Sequence, residues 1–292
     1  YKPNWEESLA VVAVNLPQKS KHHIHLKTDD GVNWYGQLAL DEICDSIQYE
    51  YIVENQQGAI IRREQGLKRC CIINRRRKIH LFDSWMNAPE FSIFSRSGLA
   101  NCVCNREHGI EVKKELLQER HLLLLKALPP KKGWRWAVVG NKEKWGNWNP
   151  EKARLMQRTG TFEWGLPLSA DDFDTEFRYK FIWVKSDGSE APKWEEREDR
   201  ALYVAFANEE LTGSTIQTDM FPRMAENADL WRGAGVVIPV FSLRSEGSFG
   251  VGDFGDLKLF VQWASSVGMN AVQLLPINDT TTTGGSRDSY PY

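Results

Sequence analysis

Between residues 8 and 82, short apolar runs alternate with polar turns. LAVVAV, NWYGQLAL, IQYEYIV, AIIRRE and KRCCII are separated by pieces such as TDDG and NQQG. Runs of this length, rich in branched and aromatic residues, predict an antiparallel β-sandwich. Residues 83–115 lose that rhythm and read as a linker with partial structure. A second series follows: HLLLLKAL, GWRWAVVG, GTFEWGLPL, EFRYKFIWV and ALYVAF. The two series match internally. IQYEYIV (47–53) aligns with FRYKFIWV (177–184), and Glu64 precedes Arg69 by the spacing at which Glu195 precedes Arg200. A tandem pair of related β-domains is therefore expected.

After about residue 219 the pattern changes. VVIPVFSL (236–243) is a continuous apolar run suited to a buried parallel strand. A glycine-rich loop leads into a predicted helix over about 253–267, with Leu257, Phe260, Val261, Ala264 and Val267 on one face. Gly268 is a natural stop, and AVQLLPI (271–277) is a second apolar strand. One βαβ unit cannot close a core alone, so this region is expected to be the opening of a domain that continues past Tyr292. The expected organisation is a first β-sandwich over 1–97, a linker over 98–115, a second sandwich over 116–218 and an incomplete third domain over 219–292.

Composition narrows the function. The 292 residues carry a net charge of −2, which argues against a dominant phosphate-binding surface and hence a nucleic-acid partner. The run Arg75, Arg76, Arg77, Lys78 has no interleaved aromatics and reads as a solvated strand edge. No stretch approaches the roughly 20 apolar residues of a membrane helix. The 5 cysteines (Cys44, Cys70, Cys71, Cys102, Cys104) are odd in number and include no Cys-x-x-Cys pair. They read as reduced thiols of a cytoplasmic protein, with no metal or cofactor expected. No signal peptide is visible, although the chain starts at Tyr1. His22, His23 and His25 have no ligand pair of suitable spacing nearby and read as an exposed strand or loop.

Tryptophan is over-used: 12, against 8 Tyr and 5 Met, with seven of them between Trp134 and Trp194. Trp134, Trp136 and Trp164 lie on strands and suit a core. Trp145 and Trp148, in KWGNWNP, and Trp194, in APKWEERED, lie where a core is not expected. An exposed indole on a rigid scaffold can stack on the C–H face of a pyranose, whose hydroxyls need polar partners such as Lys180 and Glu195. The same placement also suits two indoles, Trp148 and Trp194, stapling one loop to another.

At these residues the chain resembles a family. Trp-Gly-Asn-Trp (145–148), Tyr-Lys-Phe-Ile (179–182) and Lys193, Trp194, Glu195 with Arg200 are similar to the starch-binding domain of carbohydrate-binding module family 20. That family is an immunoglobulin-like sandwich, and the resemblance assigns sugar-binding roles to Trp148, Lys180 and Trp194. Trp145 stands where the family has Leu, and Asp199 where Asn usually precedes the Arg. The first β-domain resembles the same module with its site lost, since Glu50 takes the Lys position and Arg63 the Trp position.

The third region holds two competing motifs. Gly250, Gly252 and Gly255 spell G-x-G-x-x-G between a strand and a helix, as in dinucleotide-binding folds. Six residues separate the predicted strand from Gly250, too many for a tight turn, and Asp253 and Asp256 sit where a pyrophosphate would bind. Those aspartates suit helix capping. WRGAGVVIPVFSLRSEGSFGVGDFGDL, VQLLPINDT and DSYPY instead resemble the start of the amylomaltase, or disproportionating-enzyme, family of 4-α-glucanotransferases.

That resemblance implies a (β/α)8 barrel performing retaining glycosyl transfer, with an Asp nucleophile and a Glu acid/base on later strands. Asp288 and Tyr292 would then bind substrate, Tyr292 by stacking, although Tyr290 and Tyr292 also suit turn packing. The expectation is part of an enzyme acting on α-1,4-glucans such as starch, glycogen, maltodextrin or maltose. The catalytic residues are expected beyond Tyr292, so this stretch alone should transfer nothing. The alternative is a non-catalytic α-glucan-binding scaffold.

Overall fold

The computed structural model describes residues 3–4, 6–16, 19–40, 45–64, 69–73, 78–86, 112–160, 162–202, 213–224 and 233–277. Two compact units divide the chain, Tyr1–Asp229 and Leu230–Tyr292. Among the described residues no helix is long and apolar enough to cross a membrane.

The first unit is built of β-sheets. Strands β1 (Ser8–Leu16), β2 (Lys21–His25), β3 (Ser46–Glu54) and β4 (Ile60–Arg63) form an antiparallel sheet ordered β2-β1-β3-β4, with β5 (Arg69–Ile72) also on β3. A second sheet runs β10-β11-β7-β15-β6. Its strands are β6 (Ile79–Asp83), β7 (His121–Lys126), β10 (Gln157–Gly160), β11 (Glu163–Pro167) and β15 (Ser214–Met220). The third sheet joins β8 (Trp134–Gly140), β9 (Arg154–Leu155), β12 (Arg178–Lys185) and β13 (Lys193–Trp194), with β14 (Arg200–Ala201) also on β12.

Strand β7 shows which sheet lies in the middle. Its HLLLLK sequence is apolar on both faces. Leu122 and Leu124 pack with Ala13, Ile47 and Tyr49 of the first sheet, whereas Leu123 and Leu125 pack with Trp136, Phe181 and Trp183 of the third. An outer strand needs one apolar face, and a strand between two layers needs both.

This departs from two separate sandwiches over 1–97 and 116–218. Strand β6, from the first series, joins the middle sheet and pairs in parallel with β15. There Ile79 and Leu81 cover the first core together with Ile216. The expected boundary at 218/219 would cut β15, which hydrogen-bonds on β7 as far as Met220↔Lys126. The linker expected over 98–115 lies largely outside the described residues. Its end leads into a short 3-10 turn, Lys114–Gln118, with Leu116 buried.

The two β-series correspond in register and in buried charge, as copies of one unit would. Arg63 stands opposite Ile52 as Trp194 stands opposite Ile182, and Arg69 opposite Tyr49 as Arg200 opposite Tyr179. In the first copy, Arg69 pairs with Glu64 at 2.6 Å and Asp83 at 2.9 Å, and the Tyr49 hydroxyl donates to Asp83 at 2.8 Å. In the second, Arg200 pairs with Glu195 and Asp219, each at 2.9 Å, and Tyr179 donates to Asp219. The parallel strands β6 and β15 run one residue out of step, Asp83 lying beside Thr218. The two equivalent aspartates therefore face opposite layers.

The second unit is a βαβ element. Strands β16 (Gly235–Ile238) and β17 (Ala271–Leu274) pair in parallel around helix α1 (Phe254–Ser266). The expected apolar run over 236–243 breaks at Pro239, which has no N–H for a ladder and opens a 3-10 turn, Val240–Ser242. Asp253 caps α1 through the Gly255 and Asp256 amides, and Asp256 accepts in return from the Asp253 amide at 3.0 Å. Gly268 follows with φ +80°, as a helix stop needs. Ala264 of the predicted apolar face is buried, whereas Val261 and Val267 remain exposed.

Candidate glucan-binding face

Strand β12 sorts its side chains by alternation. Tyr179, Phe181 and Trp183 point into the aromatic core, while Ile182 faces outward with Ala137 and Val139 of β8. Trp148, Trp194, Ala153 and Val184 pack against that outward patch. Lys180 shares the parity of Ile182 and pairs with Val139 in register. The structure thus gathers Trp148, Lys180 and Trp194 on one outer face of the third sheet.

The loop bearing Trp148 is built for presentation. Gly146, Asn147 and Trp148 all have positive φ (85°, 48° and 64°), which for the two non-glycine residues costs roughly 1–2 kcal/mol each. A Cβ on Gly146 would lie 2.8 Å from the Asn149 carbonyl, so glycine is required there. The Trp148 amide donates to the Gly140 carbonyl at 2.9 Å, fixing the turn to the end of β8. Asn149 then starts a 3-10 turn by accepting from the Glu151 amide.

Trp145 is not exposed, contrary to the expectation from its loop sequence. It is 0% exposed, and its Nε1 donates to Asp172 Oδ1 at 2.6 Å. Arg154 lies over its ring at 4.4 Å. Within three residues one indole anchors the loop inward while the other faces out. Lys144 and the Ser169 amide also serve Asp172; although burial opposes ionisation, these donors hold its carboxyl below the usual range.

Trp194 lies on β13 opposite Ile182 and is half-buried, as is Trp148. Lys180 Nζ donates to the Arg197 carbonyl at 2.6 Å and stands 3.8 Å from Asp199. Two indoles, a lysine and an aliphatic floor offer an apolar ledge with one cationic donor at its side. That arrangement suits the C–H face and rim hydroxyls of a pyranose.

Glu195 does not join this face, and its expected role as a sugar partner is corrected. Its side chain is fully buried, accepting from the Phe181 amide at 2.9 Å and from Arg200 Nε and Nη2. Both oxygens are used by the scaffold. Alternation gives the physical reason: Trp194 points outward, so its neighbour points in. Asp288 and Tyr292 lie outside the described residues, as do Cys44, Cys102, Cys104 and most of the basic run before Lys78. Cys70 is an exposed thiol, and the buried Cys71 Sγ donates to the Ile72 carbonyl at 3.6 Å.

Among the described residues, the equivalent face of the first copy carries no tryptophan pair. Glu50 and Arg63, in the places of Lys180 and Trp194, bond to each other at 2.6 Å.

Comparison with known proteins matches two segments of the chain. Residues 130–214 match the starch binding domain family, which spans the whole face just described. Residues 238–292 match the 4-alpha-glucanotransferase family. Two separate segments of the chain are thus similar to two different families, a starch binding domain and, further along, a 4-alpha-glucanotransferase. It is 30% identical over 263 residues to 4-alpha-glucanotransferase DPE2 of Oryza sativa subsp. japonica, covering 84% of this chain and 26% of that protein. It is 48% identical over 46 residues to the 4-alpha-glucanotransferase of Chlamydia trachomatis serovar D, covering 16% of this chain and 9% of the relative. The chain therefore spans only about a quarter, or less, of these relatives' length. Among solved structures, the family 20 module of the maltotetraose-forming amylase from Pseudomonas saccharophila STB07 shares 17% identity with a TM-score of 0.26. It covers 33% of this chain and 98% of that one.

Proposed function

We propose that this chain is part of a 4-α-glucanotransferase. The enzyme would move α-1,4-glucosyl units from maltose or maltodextrin to an α-glucan acceptor by retaining double displacement. Its β-rich unit would hold starch or glycogen. The observation that carries the binding half is the convergence of Trp148, Lys180 and Trp194 on one outer face within the segment matching the starch binding domain.

The catalytic half rests on the match over 238–292 and on the similarity to the rice protein along 84% of this chain. On this reading the two β-series are copies of one immunoglobulin-like module, the first having exchanged sugar binding for the Glu50–Arg63 ion pair. The βαβ element is the opening of a (β/α)8 barrel, and Asp288 and Tyr292 meet substrate at its C-terminal face. A cytoplasmic setting fits the exposed thiol of Cys70.

The dinucleotide reading of the glycine-rich loop is not favoured. Asp256 already occupies the start of α1, accepting from the hydroxyls of Ser245 and Ser248. Those hydrogen bonds hold its carboxyl below the usual range, which leaves a negative charge where a pyrophosphate would sit.

Calorimetric titration with maltoheptaose tests the binding half. Trp148→Ala and Trp194→Ala should each weaken binding roughly 5- to 30-fold, since one aromatic stack contributes about 1–2 kcal/mol. Undiminished binding by both variants would sink the proposal.

A further inference from the structure

The outer face of the first sheet carries a cluster that the glucan-binding reading does not use. His23 and His25 lie two residues apart on edge strand β2 and so share a face. Across β1, the strand between, Glu54 ends β3. Ala10 pairs with His25 on one side and Ile52 on the other, and its small side chain lets longer groups from β2 and β3 meet above it. His23 Nε2 lies 2.9 Å from Glu54 Oε1, and His25 Nδ1 lies 3.2 Å from Oε2. The ligand atoms of all three residues fall within 4.8 Å of one another.

The burial of the partners is unequal. Glu54 has a side chain only 1% exposed, while His23 and His25 are 44% and 71% exposed. Neither Glu54 oxygen accepts a hydrogen bond of ordinary geometry among the described residues, because the imidazole nitrogens approach without aligned N–H groups. A buried carboxylate in that position needs a cation or well-aimed donors. In the second copy the equivalent position is Val184, part of the apolar ledge, so Glu54 is not a requirement of the module's packing.

We propose that His23, His25 and Glu54 form a binding site for a zinc-class divalent metal ion. Zinc bonds of about 2.0–2.2 Å in a tetrahedral site place ligand atoms roughly 3.3–3.6 Å apart, so the 2.9 Å and 3.2 Å contacts, made to different carboxylate oxygens within a 4.8 Å cluster, reach that spacing by side-chain rotations alone. Two imidazole nitrogens and a carboxylate are a ligand set zinc accepts, with water completing the fourth position. The deprotonated carboxylate and neutral imidazoles would turn their lone pairs to the ion, which gives the poorly aligned N···O contacts a common centre. Bound metal would clamp edge strand β2 to β3 across β1. The sequence alone hid the site because Glu54 lies 29 residues beyond His25 and meets it only through sheet register.

The test uses the 292-residue chain, stripped with a chelator and titrated with Zn2+ against a chromophoric competitor. The expected result is one equivalent bound, with affinity falling roughly tenfold or more in His25→Ala and in Glu54→Gln. His25 is largely exposed, so His25→Ala should fold, and unchanged circular dichroism would verify this. A second reading uses Co2+, whose visible absorption at one equivalent should be that of a four-coordinate nitrogen and oxygen site and should vanish in His25→Ala. Failure of the native chain to bind stoichiometrically, or equal binding by a folded His25→Ala variant, would overturn the proposal.

Discussion

Replacing Glu195 by Gln separates a scaffold residue from a sugar ligand. Glu195 accepts from Arg200 Nε at 3.0 Å, from Nη2 at 2.9 Å and from the Phe181 amide at 2.9 Å, with no exposed side-chain surface. Glutamine can still accept from the amide but loses the charge that matches the guanidinium. Hydrogen bonds to charged groups contribute about 1.5–3 kcal/mol each, and removing one partner of a buried pair costs about 3–5 kcal/mol when the other charge is stranded. Arg200 keeps Asp219 at 2.9 Å, so its charge is not stranded.

The expected cost is therefore about 2–3 kcal/mol at the lower end of those ranges. For a unit of this size it corresponds to a Tm lowered by roughly 5–10 °C. Thermal unfolding followed by circular dichroism measures it, with maltoheptaose titration well below the transition. A Tm within about 2 °C of the parent protein would refute the buried-network reasoning. A folded variant that no longer binds the sugar would return Glu195 to the binding face. Glu64→Gln, its counterpart in the first copy, should cost a similar amount and leave binding untouched.

Two further perturbations probe the loop and a turn. Trp145→Phe removes the 2.6 Å donor to buried Asp172, which keeps Lys144 and the Ser169 amide; urea unfolding should show a loss of about 1–2 kcal/mol, and an unchanged midpoint would contradict the anchoring role. Asp30 accepts from the amides of Asn33 and Val32, and these bonds lower its pKa from 3.8 to about 2. A depressed carboxylate stabilises the fold above its unfolded pKa and is lost as pH falls through the folded one, so this turn should persist until about pH 2. Carboxyl-carbon NMR should find that midpoint, and titration near the ordinary value would contradict the turn.

The sequence pattern carried the helix of the βαβ element to within a residue at each end, because 3.6-residue periodicity and the Asp253 cap are local signals, whereas both strands end earlier than their apolar runs, the first before Pro239. It also carried the duplication, since Glu64 and Arg69 repeat Glu195 and Arg200 in number and spacing. The three-layer arrangement was not legible in the same way. It depends on β6 pairing in parallel with β15, a contact between residues about 135 positions apart that no local rule specifies.

One sign of that arrangement was in plain view. Four consecutive leucines in β7 are too apolar for a strand with a solvent face. Of the candidate face, Trp148, Lys180 and Trp194 were named from motif and composition together, and the structure gathers them on one side of the third sheet. Trp145 and Glu195 misled because loop composition and flanking charge do not reveal which way a side chain turns. Asp172, 27 residues from Trp145, and Arg200, five residues from Glu195, decide that direction.

The central claim is that the outer face of the third sheet is where glucan binds. It is tested most directly by assigning the indole Nε1–H signals and adding maltoheptaose. Trp148 and Trp194 should shift together and saturably, while buried Trp136, Trp145 and Trp183 stay in place. Saturable binding that leaves Trp148 and Trp194 unmoved would contradict the account.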